Sequence, residues 1–294
     1  MAGPENEYLT TRELAELLRI KERKVYDLAA SGAIPCSRAM GKLLFPRAEV
    51  EAWLAQHSSG ASTAPTKDHP PVLLGSSDPL LEWALRESNS GLASFLDGSM
   101  DGLERLARGE GMATGLHIYE PQTDDWNAGT AAARFGAQPV VLAEWAWRER
   151  GLIVASGNPK KIARIGDLAG MTFAPRQDAA GSQILFQHLA REAGLEPGAI
   201  ELLPQMRSES DAALAVLEGK ADAALGLSSL ARQYKLEFTG VIRERFDLLV
   251  WRRDWFEPAF QTLFDFCRGE RFHAKALEFG GYDVSGLGRV HFNG

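Results

Sequence analysis

The sequence predicts a multidomain chain in which a small α-rich domain is followed by a larger α/β domain. Helical spacing of apolar residues and a hairpin pattern occupy the first part, whereas short apolar strands alternate with helical stretches from residue 72 onward. Between them, HSSGASTAPTKDHPP at 57–71 is small, polar and proline-rich, which is typical of a linker. We therefore expect domains at 1–57 and 72–294, joined by a linker at 58–71.

The composition is that of an ordinary globular protein. The 294 residues are 45% hydrophobic and 24% charged, and no run of 18 apolar residues predicts a membrane span. The first residues lack the basic and apolar regions of a secretory signal. Only two cysteines occur, Cys36 and Cys267, which fits a reducing compartment. We expect a cytoplasmic protein without membrane contact.

Charge is distributed unevenly along the chain. The formal net charge is −7, yet residues 1–56 carry eight basic and eight acidic residues, so the whole excess of acid lies beyond them. Residues 28–48 contain no acidic residue but include Arg38, Lys42 and Arg47. Because an acidic surface repels a polyanion, the amino-terminal domain is the plausible nucleic-acid surface.

The amino-terminal pattern predicts two helices, a hairpin and a third helix. Thr10 or Thr11 can cap the first helix, and a second helix is predicted from about Glu22 to Ser31, with Gly32 ending it. The stretch AIPCSRAMGKLLFP then reads as two strands around a glycine-containing turn, and the third helix starts at Pro46. This is the plan of a winged helix-turn-helix domain.

The same segment resembles the excisionase/MerR-like family of DNA-binding domains. The resemblance rests on LT, ELA, VY, G, IP, R, G and WL at Leu9–Thr10, Glu13–Ala15, Val25–Tyr26, Gly32, Ile34–Pro35, Arg38, Gly41 and Trp53–Leu54. It implies a double-stranded DNA operator as partner, although Asp27 stands where the family often has a basic residue. A solvated helix face and a protein-binding face are the alternatives. The predicted DNA-contacting residues are Lys21, Arg23, Lys24, Tyr26, Arg38 and Lys42.

Three predicted strand-to-helix turns in the α/β domain are rich in serine. They are GSSDPLL with Ser76 and Ser77, DGSMDGL with Ser99, and RQDAAGSQILFQHLA with Ser182. Helix amino termini present free N–H groups and attract anions, and serine hydroxyls add donors without charge. Each serine alone is commonly a plain helix cap. If the turns converge at strand carboxyl ends, they form a cage for an oxyanion.

The order of segments resembles the PBP-like domain of bacterial regulators, a type II periplasmic-binding-protein fold also found attached to some molybdenum-cofactor biosynthesis proteins. GLIVASGNP, RQ and GKADAALG are its most specific pieces, and the resemblance covers residues 72 to about 270. It implies one lobe at 72–150 plus 251–294 and a second at about 157–243. It also implies an oxyanion effector, such as molybdate or tungstate, and no cofactor or metal. The implied ligand-binding residues are Ser76, Ser77, Ser99, Arg176, Ser182 and Asp222.

Three positions depart from that family pattern. Ala180, Gln183 and Asp211 stand where a serine, an arginine and a histidine are usual. These changes weaken an anion site and leave open a different ligand, such as an amine or a sugar-like molecule. No nucleophile, base and acid stand together, and the six histidines lack metal-ligand spacing, so we predict that the protein is not an enzyme. His117 follows a strand and is either a hydrogen-bonded structural residue or a cleft contact.

Together these patterns predict a one-component transcription regulator, acting as a homodimer or a higher homo-oligomer, that senses a small molecule or oxyanion. One alternative is a cytosolic oxyanion-binding accessory of molybdenum-cofactor biosynthesis or of transport. Another is an interaction adaptor with an empty pocket.

Overall fold

The structure, a computed structural model, describes residues 8–18, 20–39, 41–50, 53, 69–136 and 138–294. It separates into two compact units, Met1–Asp68 and His69–Gly294. Each unit has its own hydrophobic core.

Within its described residues, the smaller unit combines three helices with a three-stranded sheet in the order β1-β3-β2. Both strand pairs are antiparallel, and β2 and β3 form the predicted hairpin. Strand β1 is an addition to the sequence-based prediction, because its pairing with β3 joins segments far apart in the chain. The elements are β1 (Tyr8–Thr10), α1 (Thr11–Leu18), α2 (Glu22–Ala30), β2 (Ser37–Ala39), β3 (Lys42–Pro46) and α3, whose described residues are 47–50 and 53.

Local chemistry explains where α1 starts and which way α2 faces. The Thr10 N–H donates to Glu13 Oε2 at 2.7 Å and the Glu13 N–H donates to Thr10 Oγ1 at 3.3 Å, a reciprocal capping box. Helix α2 buries Val25 and Ala29 against a core that includes Phe45. Its remaining residues are exposed, apart from Leu28, which is half-buried. The polar side of α2 is therefore free to contact a partner.

The larger unit contains a ten-stranded mixed sheet with the central order β11-β10-β12-β9-β13-β6-β4-β5, and β14 and β15 also pair with β9. A small hairpin, β7-β8, lies outside it. The strands are β4 (Val72–Gly75), β5 (Ala93–Phe95), β6 (Ala113–Leu116), β7 (Tyr119–Glu120), β8 (Asp125–Trp126), β9 (Val140–Val154), β10 (Thr172–Ala174), β11 (Glu201–Leu202), β12 (Ala223–Leu227), β13 (Glu237–Trp251), β14 (Tyr282–Asp283) and β15 (Val290–Asn293). The helices are α4 (Pro79–Glu87), α5 (Ser99–Ala107), α6 (Ala128–Phe135), α7 (Gly181–Glu192), α8 (Glu209–Leu217), α9 (Ser228–Gln233), α10 (Pro258–Cys267) and α11 (Glu270–Phe279), with 3-10 turns at Ile165–Leu168 and Asp254–Phe256.

Two sets of parallel strands flank a long antiparallel pair. Strands β4, β5 and β6 are parallel to one another, as are β10, β11 and β12, whereas β9 and β13 run antiparallel to each other and to their neighbours β12 and β6. The alternation of strands and helices in the sequence predicts a mostly parallel sheet, and the observed sheet is more mixed. The apolar segments LIVASGNP at 152–159 and FDLLVWR at 246–252 predict strands there. The observed strands β9 and β13 extend well beyond these segments, because charged residues inside them break the apolar pattern.

The strand register brings the carboxyl ends of the two parallel sets to the same place. Leu116, at the end of β6, is aligned through Asp247 with Glu144 of β9, and Leu227, at the end of β12, is aligned with Arg150. The middle of β9 and the adjoining part of β13 thus form the floor between two rows of strand ends. Ligands of open α/β sheets bind at such carboxyl ends.

Separate apolar clusters support the two sides of this floor. Helices α4, α10 and α11 pack on the β4–β6 side around residues such as Leu80, Phe260 and Phe272. On the β10–β12 side, Phe173 and Leu185 anchor another cluster. Within the described part of the chain, no helix has the length and apolar character needed to cross a membrane.

Candidate functional site

One wall of the candidate site is built at the ends of β4 and β6. Ser76 follows β4 directly, Ser99 begins α5, and the two hydroxyl oxygens lie 2.7 Å apart. The His117 backbone N–H, just after β6, donates to Ser99 Oγ at 3.3 Å. All three residues are buried, so the serine hydroxyls face each other in a dry environment.

The opposite wall comes from the β10–β12 side. Arg176 follows β10, Ser182 lies in the first turn of α7, and Glu209 begins α8. The two walls are in contact: a methyl group added to Gly181 would lie 2.7 Å from the His117 carbonyl oxygen. The inner pocket between the walls is lined by Ser76, Ser77, Leu96, Gly98, His117, Arg176, Ala180, Ser182 and Glu209, and its volume is about 10 Å³.

Arg176 is the unusual member of this pocket. Its side chain is only 8% exposed, its Nη1 donates to the Met206 carbonyl, and its Nε has no hydrogen-bond partner. No carboxylate within the described residues forms an ion pair with it. Burial lowers the pKa of the guanidinium, although the carboxylates of Glu209, Asp211 and Asp97 act in the opposite direction. Arg176 is thus a buried cation without a direct counterion.

A chain of ion pairs crosses the floor formed by β9 and β13 and reaches two pocket residues, His117 and Glu209. Arg148 donates to Asp78 Oδ2 at 2.9 Å and to Glu244 Oε1, while Arg150 donates to Glu244 Oε2 at 2.6 Å and to Glu209 Oε1 at 2.8 Å. Arg148, Arg150 and Glu244 are at most 1% exposed. The chain of charges therefore runs from the start of α4, across the floor, to the start of α8.

Electrostatics fix the charge states in this network. Burial disfavours the charged form of Glu244, but Arg148 and Arg150 outweigh it and hold the carboxyl pKa well below its usual value. For His117, burial itself lowers the pKa of the imidazole. The Glu244 carboxylate, 3.2 Å from His117 Nδ1, offsets only part of that effect. At neutral pH the network therefore contains an ionised Glu244 and a neutral His117.

Most of the predicted ligand-binding residues meet at this pocket. Ser76, Ser77, Arg176 and Ser182 line it, and Ser99 joins them through its contact with Ser76.

Asp222 is not brought to the pocket. It precedes β12, its carboxylate accepts the Thr172 N–H at 3.0 Å, and it pairs with Lys160 at 2.8 Å. Thr172 is at the amino end of β10, whereas Arg176 follows the carboxyl end of that strand. Asp222 thus lies at the end of its strand that faces away from the site.

Two of the positions that depart from the family pattern have structural roles. Gln183 Oε1 accepts the Arg176 backbone N–H at 2.9 Å and so shapes the loop that carries Arg176. Asp211 forms a capping box with Ser208 at the start of α8, next to Glu209. The third, Ala180, lines the pocket. The positive charge of the arginine that is usual at position 183 is therefore not replaced by a cation at position 180 or 211.

The sequence patterns did not reveal Glu209 or the floor residues. One signal was available: Arg148-Glu149-Arg150 and Arg243-Glu244-Arg245 repeat the same charged triplet inside otherwise apolar strands. In a strand, alternate residues share a face, so Arg148 and Arg150 point to the same side of β9. On that side they can both reach Glu244, the middle residue of the other triplet, on the neighbouring strand. Within the part of the chain that the structure describes, no group of three or more His, Cys, Asp or Glu side chains could hold a metal ion.

In the smaller unit, the predicted DNA-contacting residues lie on the outer face of α2 and on the hairpin. Lys21, Arg23, Lys24 and Tyr26 are exposed, Tyr26 by 53%. Lys42 is exposed on β3, and together with Tyr26 it lines a groove of about 540 Å³. The side chain of Arg38 lies outside the described residues.

Comparison with known proteins assigns both units. Residues 82–268 match the family described as PBP superfamily domain, and residues 8–58 match the family described as helix-turn-helix domain. The uncharacterized protein YvgK of Bacillus subtilis (strain 168) is 23% identical over 299 residues, covering 96% of each chain. An uncharacterized Clostridium pasteurianum protein, named for the 5′ region of a ferredoxin 2Fe-2S gene, is 29% identical over 109 residues, covering 36% of this chain and 96% of its own.

Among solved structures, the tungstate ABC transporter from Geobacter sulfurreducens superposes with a TM-score of 0.51 at 15% identity, covering 68% of this chain and 94% of that one. An identity this low shows a shared fold. The predicted helix-turn-helix and PBP-like domains are confirmed by the two family matches. The chain therefore belongs to the PBP superfamily domain family and carries a helix-turn-helix domain ahead of that domain.

Proposed function

We propose that the protein is a cytoplasmic, homodimeric transcription regulator that binds duplex DNA through its helix-turn-helix domain and a small anionic molecule in its PBP domain. The observation that carries the ligand part is Arg176, a buried guanidinium without a carboxylate partner. Burying a charge costs several kcal/mol unless it is paired. An anion in the pocket supplies the missing partner.

The neighbouring groups favour the same class of ligand. Ser76, Ser99 and Ser182 contribute hydroxyl donors, and the first turn of α7 directs its free N–H groups and its partial positive charge to the same region. Molybdate and tungstate are the candidate ligands that the sequence resemblance suggested, and the serine hydroxyls and Arg176 support an oxygen-bearing anion in general.

The DNA part of the proposal rests on the exposed face of α2. Arg23 and Lys24 project from the helix that follows the turn, while Val25 and Ala29 on the same helix hold it to the core. In helix-turn-helix domains this second helix enters the major groove. Ligand binding changes DNA affinity only to the extent that the ligand prefers one conformation of the dimer.

The test uses the full chain. Duplexes selected from a random pool give the operator, and its affinity is then measured at several salt concentrations for wild type and for Arg23→Ala with Lys24→Ala. We expect at least a tenfold loss and a shallower salt dependence, because each lost phosphate contact lowers the logarithmic slope by about 0.9. Arg164→Ala with Arg268→Ala, two exposed arginines of the larger unit, is the matched control. Equal operator affinity for wild type and the α2 variant would contradict the assignment of α2.

A further inference from the structure

A wide groove adjoins the inner pocket. The groove has a volume of about 710 Å³ and runs between α4 and β5 on one side and the starts of α8 and α9 on the other. Three residues, Ser77, Leu96 and Glu209, line both the pocket and the groove, so the two spaces are neighbours separated by these side chains. The groove wall is mixed: Leu85, Leu92, Leu96 and Leu230 form an apolar part of it, and polar residues, among them Glu82, Arg86 and Arg207, form the rest.

The two volumes differ in what they can hold. The pocket, at about 10 Å³, has room for about one water-sized group. The groove, at about 710 Å³, falls in the range of sites that bind organic small molecules, roughly 300–1,000 Å³. A ligand that reaches Arg176 in this conformation places a single polar group in the pocket, and any remaining atoms lie in the groove.

Glu209 stands where the pocket meets the groove. Its Oε1 accepts a hydrogen bond from Arg150, whereas its Oε2 is buried without a partner. Burial opposes ionisation, but Arg150 outweighs it and lowers the pKa of this carboxyl, so the group is an anion at neutral pH. A buried acceptor left unpaired is costly, so the site requires a donor at Oε2. A fully deprotonated dianion offers only oxygen atoms there.

We infer that the ligand is an organic acid rather than an inorganic tetrahedral oxyanion, with its anionic group on Arg176, a hydrogen-bond donor beside that group on Glu209 Oε2, and an organic body that contacts the leucines of the groove. This inference rests on the proposed function, since it needs Arg176 to bind an anion. It assigns Glu209 to ligand discrimination, because an ionised carboxylate only accepts hydrogen bonds, whereas Arg176 only donates them and a serine hydroxyl can do either.

Three related carboxylates separate the contribution of the donor from that of the body in the groove. Phenyllactate has the carboxylate, the adjacent hydroxyl and an apolar ring; phenylpropionate lacks the hydroxyl; lactate lacks the ring. Ligand-observed NMR and calorimetry on the full chain give their affinities beside those of molybdate and tungstate. We expect phenyllactate to bind at least about tenfold more tightly than each of the other four, because a hydrogen bond to a charged group and a buried ring are each worth about that factor.

Two variants test the assignment of residues. Glu209→Gln should bring the affinity ratio of phenyllactate to phenylpropionate close to one. Leu92→Trp should fill the groove and weaken phenyllactate at least tenfold while leaving lactate unchanged. Leu217→Trp, on an exposed part of α8 outside the groove, is the control for added bulk, and circular dichroism checks that each variant is folded.

The outcomes are distinguishable. Molybdate or tungstate binding more tightly than phenyllactate, with no effect of Leu92→Trp, would overturn the inference and leave the proposed function standing. Phenyllactate binding no more tightly than lactate would also overturn it. If no probe binds, or if Arg176→Gln changes none of the affinities, the proposed anion site itself fails.

Discussion

Three buried arginines of the larger unit, Arg148, Arg150 and Arg176, differ in whether a carboxylate of the chain pairs with them. Arg148 and Arg150 lie on the floor strand β9, and each pairs with two carboxylates. Arg176 lies a short distance along the same cleft, on the loop after β10, and donates to a backbone carbonyl without any ion pair among the described residues. Arg148 and Arg150 thus have counterions within the described part of the chain, whereas Arg176 has none there.

This difference separates residues that hold the fold from a residue that awaits a ligand. Removing one partner from a buried ion pair leaves an unpaired charge and is strongly destabilising. Removing a charge that has no counterion relieves part of a desolvation cost. The comparison therefore predicts large losses of stability on the floor and a small change at Arg176, in the order given below.

The largest effect is expected for Glu244→Gln. It leaves Arg148 and Arg150 with one carboxylate each, Asp78 and Glu209, and should lower the free energy of unfolding by about 3–5 kcal/mol. Urea unfolding followed by tryptophan fluorescence measures this loss. Six of the seven tryptophans lie after residue 69, so the signal reports mainly on the larger unit.

The control for Glu244→Gln is Glu218→Gln, which breaks an exposed pair with Lys220 and should cost under about 1 kcal/mol. If the two variants unfold at the same urea concentration, the floor network does not stabilise the fold.

Asp78→Asn should have the next largest effect. Asp78 caps α4 by accepting the Leu81 N–H at 2.8 Å, and its other oxygen accepts from Arg148 and from the Tyr282 hydroxyl. The asparagine can keep the cap but turns an NH₂ group toward two donors, so we expect a loss of about 1–3 kcal/mol in urea unfolding. Tyr282→Phe removes one of those donors and should cost less, about 0.5–1.5 kcal/mol. A larger loss for Tyr282→Phe than for Asp78→Asn would refute this order.

A pH dependence should come from His117. Burial lowers its pKa below the usual 6.5, so between those two values the unfolded chain binds a proton that the folded chain does not. The stability is therefore complete above about pH 6.5 and falls as the pH drops below it, by at most about 1.4 kcal/mol per pH unit. Urea unfolding from pH 7 to pH 5 should show a flatter profile for His117→Gln than for wild type.

The exposed His273→Gln serves as the control for that profile and should follow wild type. A profile for His117→Gln that also matches wild type would show that His117 binds a proton equally well in both states. The lowered pKa of Glu244 acts in a separate, more acidic range, because its contribution is lost only as the pH falls through a value well below 4.5.

The smallest change in stability is expected for Arg176→Gln, less than about 1 kcal/mol in either direction. The variant gives up a hydrogen bond to the Met206 carbonyl but no longer buries an unpaired charge. Urea unfolding, measured beside Glu244→Gln, checks it. A loss as large as that of Glu244→Gln would mean that Arg176 belongs to the structural network.

The contrast also explains which parts of the site the sequence could predict. Ser76, Ser99, Ser182 and Arg176 follow strands or begin helices, and such turns are recognisable from a few consecutive residues. The floor depends on Arg150 and Glu244, which are 94 residues apart in the chain, and on a strand register that local patterns do not encode. Their charges also interrupt the apolar runs, which is why β9 and β13 are longer than predicted.

Asp222 shows the related limit of positional transfer. A segment such as ADAALGL predicts a strand, but only the sheet order shows that Asp222, just before that strand, lies at the end away from the site. In the smaller unit, by contrast, the helices and the hairpin follow from capping and spacing. Only the pairing of β1 with β3, between segments that are distant in sequence, was missed.

Whether Arg176 binds an anionic ligand is tested most directly by thermal unfolding of wild type and Arg176→Gln. Each protein is measured with molybdate, tungstate, phosphate, sulfate and phenyllactate. A ligand at a hundred times its Kd adds about 2.7 kcal/mol, which for a unit of this size is roughly 5–10 °C. We expect such a shift for at least one of these anions with wild type and with the exposed control Arg164→Gln, and none with Arg176→Gln. The same shift in Arg176→Gln, or no shift in any protein, would contradict it.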